Sequence, residues 1–274
     1  MSTCVQSKPR CIGLALSGGA VRGAAHVGVL QVLQREGIEP AVVAGTSVGS
    51  LVGAAYAAGL PAEELGQVFR TVRWPKLARL SWKNRFSLFD TRPMEDVIHS
   101  VLGVGEFDQL KKPFAAVACD VVSGEKVVLR SGALAPALRA SSAVPGVFPP
   151  VEMEGRLLVD GCVADNLPVD VARELGADFV IAVDIVPPPQ GARRPRNILE
   201  LMMITGYLWS RANHPPAGAI ECLIQPEVGA YLGWDFNEVE LLEACGRTAA
   251  EKALPGLVAA LSGEPRFVDP EPQP

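Results

Sequence analysis

Short apolar runs alternate along this chain with longer segments in which apolar residues recur at helical spacing. The short runs predict buried strands over residues 11–16, 42–44, 113–122, 126–130, 156–159, 178–186 and 219–224. The longer segments predict helices over residues 24–36, 50–58, 61–72, 91–102, 197–211 and 237–261, the last broken near Pro255. This alternation is typical of an α/β fold with a mostly parallel central sheet.

A tight turn joins the second predicted strand to the second predicted helix. Residues 45–49 read Gly-Thr-Ser-Val-Gly, which is the G-x-S-x-G pattern of a nucleophile elbow. Small residues let strand and helix approach closely, so the Ser47 hydroxyl is exposed at the helix start, where free N–H groups and the helix dipole favour negative charge. Short motifs also match by chance, and the alternative is an ordinary glycine-rich turn with an idle serine.

A second glycine-rich loop, residues 17–23, separates the first predicted strand from the first helix. Such a loop can hold a phosphate or dinucleotide at the helix N-terminus. It can equally form an oxyanion hole, in which N–H groups stabilise the negative charge of a transition state. The dinucleotide interpretation is the weaker one, because Ala20 stands where G-x-G-x-x-G requires its second glycine and no suitable acidic residue follows the second strand.

Composition narrows the function classes. The chain has 274 residues, 49% of them hydrophobic, and a net charge of -5, which argues against a nucleic-acid partner. We expect one domain over residues 11–262, with flexible tails at residues 1–10 and 263–274. The uncharged stretch over residues 41–60 is long enough to span a bilayer, but its Gly, Ser and Thr residues are better explained by a strand, an elbow and a buried helix.

Six cysteines are scattered without C-x-x-C spacing. This argues against a zinc site or a disulfide framework and favours reduced thiols. The first ten residues also lack the apolar core of a signal peptide. We therefore expect a cytoplasmic protein, with peripheral contact to the inner face of the membrane as an open option.

Residues 73–89 alternate aromatic and aliphatic side chains with Lys and Arg, and the first acidic residue after them is Asp90. One interpretation is a lid or acyl-chain surface that touches anionic lipid. The other, slightly favoured, is a solvated cap whose aromatic residues pack inward, because charge runs are usually solvated faces.

Three candidate chemical groups each follow a predicted strand directly: residues 17–19, Ser47 and Asp160. Because sites in parallel sheets form at the carboxyl ends of the strands, we expect these groups to meet at one edge. A serine hydroxyl needs a base to become a nucleophile. Asp160 is a candidate base, and its apolar neighbours are expected to raise its pKa toward a useful range.

A histidine base is the alternative, and the chain offers His26, His99 and His214. Only His214 follows the order serine, acid, histidine of the α/β-hydrolases, and it does not come after an apolar strand. We therefore expect His26 and His99 to be structural and a His214 triad to be the weaker hypothesis.

Several other polar residues have more ordinary interpretations. Asp120 is expected to cap a turn. Ser141 and Ser142 are nucleophiles on paper, but neither lies in an elbow, so we interpret them as helix-end caps or pocket lining. Asp165 or Asn166 is predicted to cap the helix that begins near Pro168.

Taken together, these motifs resemble the patatin-like phospholipases. Residues 18–23, 45–49 and 160–161 are similar to the three signatures of that family, in the right order and with similar spacing, and residues 139–150 and 165–168 add to the likeness. The resemblance extends over residues 11–261 and is strongest to the small bacterial members. It implies a three-layer α/β/α fold and needs no cofactor or metal.

The resemblance also implies a mechanism. Ser47 would be the nucleophile and Asp160 the general base of a dyad without histidine, and backbone N–H groups at Gly18, Gly19 and Ala20 would form the oxyanion hole. The implied reaction is hydrolysis of fatty-acyl esters of (lyso)phospholipids or related lipids. The alternatives are a regulatory or lipid-binding protein on the same fold and, more distantly, a nucleotide-binding domain.

Three positions qualify that assignment. Arg22 occupies the basic position of the loop and would either bind substrate or hold the loop in place. Ala20 replaces the third glycine of the loop, which is tolerable if its φ is negative and harmful otherwise. Cys162 stands where the family more often has a small residue after Asp-Gly.

Overall fold

A computed structural model gives the fold over residues 10–72, 77–80, 86–87, 89–186, 194, 201, 204–206, 208, 210–211, 215, 219–229 and 238–262. Much of the predicted helix over residues 197–211 and most of the basic segment over residues 73–89 lie outside the described residues. The two predicted tails also lie outside them, apart from Arg10.

The described strands are β1 (Ile12–Leu16), β2 (Val42–Thr46), β3 (Arg79–Leu80), β4 (Phe89–Asp90), β5 (Phe114–Asp120), β6 (Lys126–Leu129), β7 (Val151–Met153), β8 (Arg156–Asp160), β9 (Phe179–Val183) and β10 (Cys222–Ile224). Seven of these described strands, β1, β2, β5, β6, β8, β9 and β10, match the short apolar runs of the sequence, whereas β3, β4 and β7 were not predicted. The main sheet has the order β10-β9-β1-β2-β5-β8-β7, with β6 also paired to β5, while β3 and β4 pair separately. The five strands from β10 to β5 run parallel, so the prediction of a mostly parallel sheet is confirmed.

Helices cover both faces of this sheet. The described ones are α1 (Ala24–Arg35), α2 (Val48–Ala58), α3 (Ala62–Thr71), α4 (Arg92–Leu102), α5 (Leu134–Ser141), α6 (Val169–Glu174) and α7 (Val239–Ser262). Strand residues alternate between the two faces: Leu14 and Leu16 join the core that contains α1, α2 and α7, whereas Ala15 joins the core that contains α6. The central strands β1, β2, β5 and β9 are buried on both faces apart from Ile12, and the implied three-layer architecture is confirmed.

The predicted break in the last helix is wrong. The helix α7 continues through Pro255 to Ser262. A proline within a helix removes one backbone hydrogen bond, but Leu257 and Ala260 beyond it are buried in the core. Tertiary packing on both sides of the proline therefore keeps the helix continuous.

The approach to Asp160 differs from the prediction, because β8 runs antiparallel to β5. The carboxyl end of β8 therefore points away from the edge at which β1 and β2 end. Asp160 is nevertheless close to Ser47 because of the strand register: Thr46 pairs with Val117 of β5, and the next residue of β5, Ala118, pairs with Asp160. Asp160 thus lies across β5 from the end of β2.

Candidate active site

The turn at residues 45–49 has the backbone of an elbow. Ser47 has φ 54° and ψ -128°, a conformation that L-residues rarely adopt and that is stored only where the surroundings enforce it. A Cβ on Gly45 would lie 2.4 Å from the Gly49 carbonyl oxygen, and one on Gly49 would lie 2.3 Å from that of Leu16. Both glycines are therefore required by close backbone contact.

Hydrogen bonds hold the elbow on both sides of the serine. The Ser50 hydroxyl donates to the Ser47 carbonyl at 2.6 Å, and the Ser50 N–H donates to it at 2.9 Å. On the other side, the Ser47 N–H donates to Oγ of Ser141 at 3.0 Å. Ser47 itself is 7% exposed.

The carboxylate of Asp160 is buried beside the elbow. Its Oδ1 accepts a hydrogen bond from the Cys162 N–H at 2.9 Å. Burial raises the pKa of Asp160 to about 6, whereas hydrogen bonding from the Cys162 N–H and the Ser47 hydroxyl lowers it by less. Among the described residues, Oδ2 has no hydrogen-bond partner of standard geometry. The Ser47 hydroxyl is thus near the carboxylate without a well-aligned hydrogen bond, as is common in unliganded sites.

A glycine also shapes the turn after Asp160. A Cβ on Gly161 would lie 2.3 Å from the Val117 carbonyl oxygen and 3.0 Å from Cγ2 of Thr46. The turn therefore packs directly over the end of β2. Gly161 allows this close approach, which positions the carboxylate.

The glycine-rich loop brings two backbone N–H groups to the site. Gly19 and Ala20 line the same cavity as Ser47 and Asp160, and within the described part of the chain their N–H groups form no hydrogen bond. The N–H of Gly18 instead donates to the Asn166 carbonyl at 3.3 Å, so in this structure it is not a free donor. Of the three predicted donors, Gly19 and Ala20 are the ones available to a ligand.

The substitution at Ala20 falls on a strained residue. Ala20 has φ 54°, in the left-handed region that favours glycine. The condition under which we expected the substitution to be tolerated, a negative φ, is therefore not met. Arg22 is buried in the 3-10 turn Ala20–Gly23 and is not a lining residue of the cavity.

An apolar cavity of about 640 Å³ opens beside these groups. Its walls come largely from aliphatic side chains of α2, α3 and α4, among them Leu51, Leu65, Val97, Ile98 and Val101. A cavity of this size and character is typical of a small-molecule site with few polar groups. Leu77, from the segment predicted to be a lid or cap, also lines it.

Neither histidine of the described chain lines the cavity that contains Ser47. His26 is fully buried with Nε2 2.8 Å from the Ser17 carbonyl oxygen, and burial lowers its pKa to about 4, so it is neutral and structural as expected. His99 lies in α4, and His214 lies outside the described residues. Within the described ranges, no group of His, Cys, Asp and Glu could hold a metal ion.

The structure also tests the two predicted caps, at Asp120 and at Asp165 or Asn166. Asp120 does cap a turn: its Oδ1 accepts from the Val122 N–H at 3.1 Å and its Oδ2 from the Ser123 hydroxyl at 3.1 Å. The predicted cap at Asp165 or Asn166 is wrong, because α6 begins later, after Pro168, and has no side-chain cap. Asp165 instead pairs with Lys126 at 3.1 Å.

The interpretation of Ser141 and Ser142 as helix-end caps or pocket lining is confirmed for Ser142, which is the C-cap of α5 and lines the cavity. Sequence reasoning missed the contact of Ser141, which is fully buried and bonded through its hydroxyl to the elbow. The available signal was its place in a run of small residues, Ala140 to Ala143, where polar side chains among alanines need internal partners.

Comparison with known proteins identifies the family. A family model described as patatin-like phospholipase matches residues 14–173, more than half of the chain. The chain belongs to this family. The matched range contains the elbow, the glycine-rich loop and Asp160, and the resemblance seen in the sequence is confirmed.

Two relatives illustrate the relationship. An uncharacterized NTE family protein of Mycobacterium tuberculosis is 36% identical over 181 residues, covering 65% of this chain and 50% of the relative. Human patatin-like phospholipase domain-containing protein 6 is 35% identical over 184 residues, covering 64% of this chain and 13% of the relative. The match thus spans half or less of these curated relatives.

Solved structures show the same patatin-like fold. VipD from Legionella pneumophila matches with a TM-score of 0.56 at 16% identity, over 92% of this chain and 68% of VipD. ExoU from Pseudomonas aeruginosa, solved with SpcU, matches with a TM-score of 0.52 at 14% identity, over 93% of this chain and 53% of the matched chain. In the described part of this patatin-like chain, no helix has both the length and the apolar character to cross a bilayer.

Proposed function

We propose that this chain is a serine acyl hydrolase that cleaves fatty-acyl esters of (lyso)phospholipids or related lipids. One observation carries the proposal: a serine in a strained elbow and a buried carboxylate with a pKa of about 6 line the same apolar cavity. Family membership supports the same reaction class. The catalytic unit would be residues 11–262.

In this mechanism Oγ of Ser47 attacks the ester carbonyl carbon while its proton moves to the Asp160 carboxylate. The carbonyl electron pair moves to oxygen, and the tetrahedral intermediate then expels the alcohol, which takes the proton from Asp160. Water then attacks the acyl-enzyme while its proton moves to the same carboxylate; the bond to Ser47 Oγ breaks, Oγ takes the proton back from Asp160, and the fatty acid is released. A base whose pKa lies near the working pH is suited to both proton transfers.

The oxyanion would be stabilised by the N–H groups of Gly19 and Ala20, which are unpaired within the described chain. We include Gly18 as part of the loop that orients them, since its own N–H is bonded to Asn166. Arg22 is buried, which favours a role in positioning the loop over direct contact with a head group. No metal or cofactor takes part in these steps.

The substrate class follows from the cavity. Its aliphatic walls suit an acyl chain, and burial of such a chain supplies roughly 0.8 kcal/mol for each CH₂ group. A lipid substrate implies peripheral contact with a membrane or micelle, and we propose a cytoplasmic location with this contact at the inner face.

The test uses a fluorophosphonate probe and a fatty-acyl p-nitrophenyl ester. The wild-type protein should react with the probe and hydrolyse the ester, whereas Ser47→Ala should do neither. Asp160→Asn should lose ester hydrolysis, and circular dichroism should show that its fold is retained. Asp120→Asn is the matched control, because it changes a turn-capping carboxylate in the same way. Turnover of either dyad variant at the wild-type rate would refute the assignment.

The positive φ of Ala20 favours one alternative, a regulatory or lipid-binding protein that kept the fold. That alternative predicts fatty-acid or lipid binding by the wild-type protein without labelling of Ser47. The hydrolase, in contrast, should show ester turnover that chelators do not affect.

A further inference from the structure

The hydroxyl of Ser141 links three parts of the site. Ser141 is the last residue of α5 and is fully buried. Its hydroxyl donates to the Val117 carbonyl of β5 at 2.6 Å and accepts from the Ser47 N–H at 3.0 Å. A single oxygen atom thus connects a helix end, a central strand and the elbow.

The direction of these two hydrogen bonds is fixed by their partners. The Val117 carbonyl can only accept, and the Ser47 N–H can only donate. The Ser141 proton must therefore lie toward Val117, and an oxygen lone pair must face Ser47. Ser141 is fully buried, does not line the cavity and donates its proton to a carbonyl rather than to a base, which argues against it as a rival nucleophile. Its oxygen also occupies the N–H of Ser47.

The residues that follow Ser141 reach the proposed base. The Ala143 carbonyl accepts the Asp160 N–H at 2.9 Å. The segment Ser141 to Ala143 is therefore bonded to the backbone of both Ser47 and Asp160. These two residues lie far apart in sequence, Ser47 directly after β2 and Asp160 at the end of β8, and the segment holds their backbones at a fixed separation.

We propose that Ser141 is a positioning residue that holds the Ser47 elbow in register with Asp160; the inference rests on the function proposed above. Ser47 is in a backbone conformation that persists only when its surroundings over-determine it. Without the Ser141 oxygen, the Ser47 N–H loses its partner in a buried site, and the elbow relaxes. The hydroxyl of Ser47 then moves away from the carboxylate without any loss of cavity wall.

The experiment compares Ser141→Ala with Ser141→Thr in the full chain. Ser141→Ala should lower kcat for a fatty-acyl p-nitrophenyl ester by about tenfold to 100-fold, because small displacements of reacting groups have effects of this size. KM should stay within about twofold, since Ser141 does not line the cavity. Fluorophosphonate labelling should slow in parallel, and Ser141→Thr, which keeps the hydroxyl, should recover most of kcat.

Tyr56→Phe provides the matched control. This variant removes another buried hydrogen bond, which the Tyr56 hydroxyl donates to the Pro40 carbonyl at 3.3 Å. Tyr56 lies near the end of α2 that is far from Ser47. This variant should keep wild-type kcat. If Ser141→Ala behaves like Tyr56→Phe, with lower thermal stability but unchanged kcat, the positioning role is refuted.

A second readout separates this inference from the proposed function. Amide hydrogen exchange at Ser47 should be slow in wild type and in Ser141→Thr and faster in Ser141→Ala, whether or not the protein hydrolyses esters. If the wild type is inactive but shows this exchange pattern, the proposed hydrolase function and the effect of Ser141 on catalysis are both refuted, while the hydrogen bond from the Ser47 N–H to Ser141 is supported. Unchanged exchange in Ser141→Ala would overturn the inference even if wild type is active.

Discussion

The elbow and the glycine-rich loop follow neighbouring parallel strands, and each contains one non-glycine residue at φ 54°, Ser47 in the elbow and Ala20 in the loop. Their surroundings differ. In the elbow, a Cβ on Gly49 would meet a backbone oxygen at 2.3 Å; in the loop, a Cβ on Gly19 would meet the end of the Ile185 side chain at 2.7 Å. Backbone inside a sheet cannot move aside, whereas a side chain can rotate.

This contrast suggests different mechanical roles for the two turns. The elbow is enclosed by main chain and by Ser50 and Ser141, so the backbone of Ser47 is held in place. The loop contacts side chains of Asn166 and Ile185 and keeps N–H groups without partners in the described chain, so it can adjust to a ligand. The strained backbone at Ser47 directs its hydroxyl to the cavity. For the strained backbone at Ala20, no contact among the described residues offers a similar explanation.

The largest expected effect is on stability. Gly49→Ala should lower the free energy of unfolding by about 3 kcal/mol, because its Cβ would overlap the Leu16 carbonyl, whereas Gly19→Ala should lower it by only about 1 kcal/mol. Denaturant titration of both variants measures the difference. Equal losses would show that the two turns are equally constrained and would break the comparison.

The carboxylate of Asp160, beside the elbow, should destabilise the fold when it is ionised. Since the folded pKa of Asp160 is raised from 3.8 to about 6, the fold is favoured below this window and loses stability as pH rises through it. Asp160→Asn should therefore stabilise the protein by roughly 2 to 3 kcal/mol near pH 8 and by much less near pH 4. Denaturation at both pH values checks this, with Asp120→Asn as the control; a gain independent of pH would contradict it.

The same titration should govern turnover. Because ionised Asp160 is the base in the proposed mechanism, kcat/KM should fall as pH drops below about 6, by about tenfold for each unit. A pH–rate profile on a neutral ester measures the midpoint. A profile flat down to about pH 4 would mean that another group accepts the proton.

The smallest expected effect is in the loop. Ala20→Gly should relieve the positive φ and raise the free energy of unfolding by about 1 kcal/mol, a rise in Tm of roughly 2 to 4 °C. Turnover should stay within a few fold if the loop is adjustable. Differential scanning calorimetry and the ester assay measure both, and a stability loss would show that the Ala20 conformation is not strained.

Much of this site could be predicted from local sequence. The strand, turn and helix around Ser47 are specified within residues 42–58, whereas the requirement for glycine at position 49 comes from the Leu16 carbonyl of β1. The pKa of Asp160 followed from its apolar neighbours in the sequence. The cap predicted near Asp165 failed because Lys126, distant in sequence, pairs with that carboxylate, and the break at Pro255 failed because the core holds the helix on both sides.

The sequence by itself determined the alternation of strands and helices, the elbow and the family, because each depends on residues close together in the chain. Only the tertiary structure decided how Asp160 reaches Ser47. Its strand is antiparallel, so the pairing of Ala118 with Asp160 and the Ser141 to Ala143 segment bring the two together. Strand direction and buried hydrogen bonds between distant residues are long-range contacts, which the pattern of apolar and polar residues within one short segment does not encode.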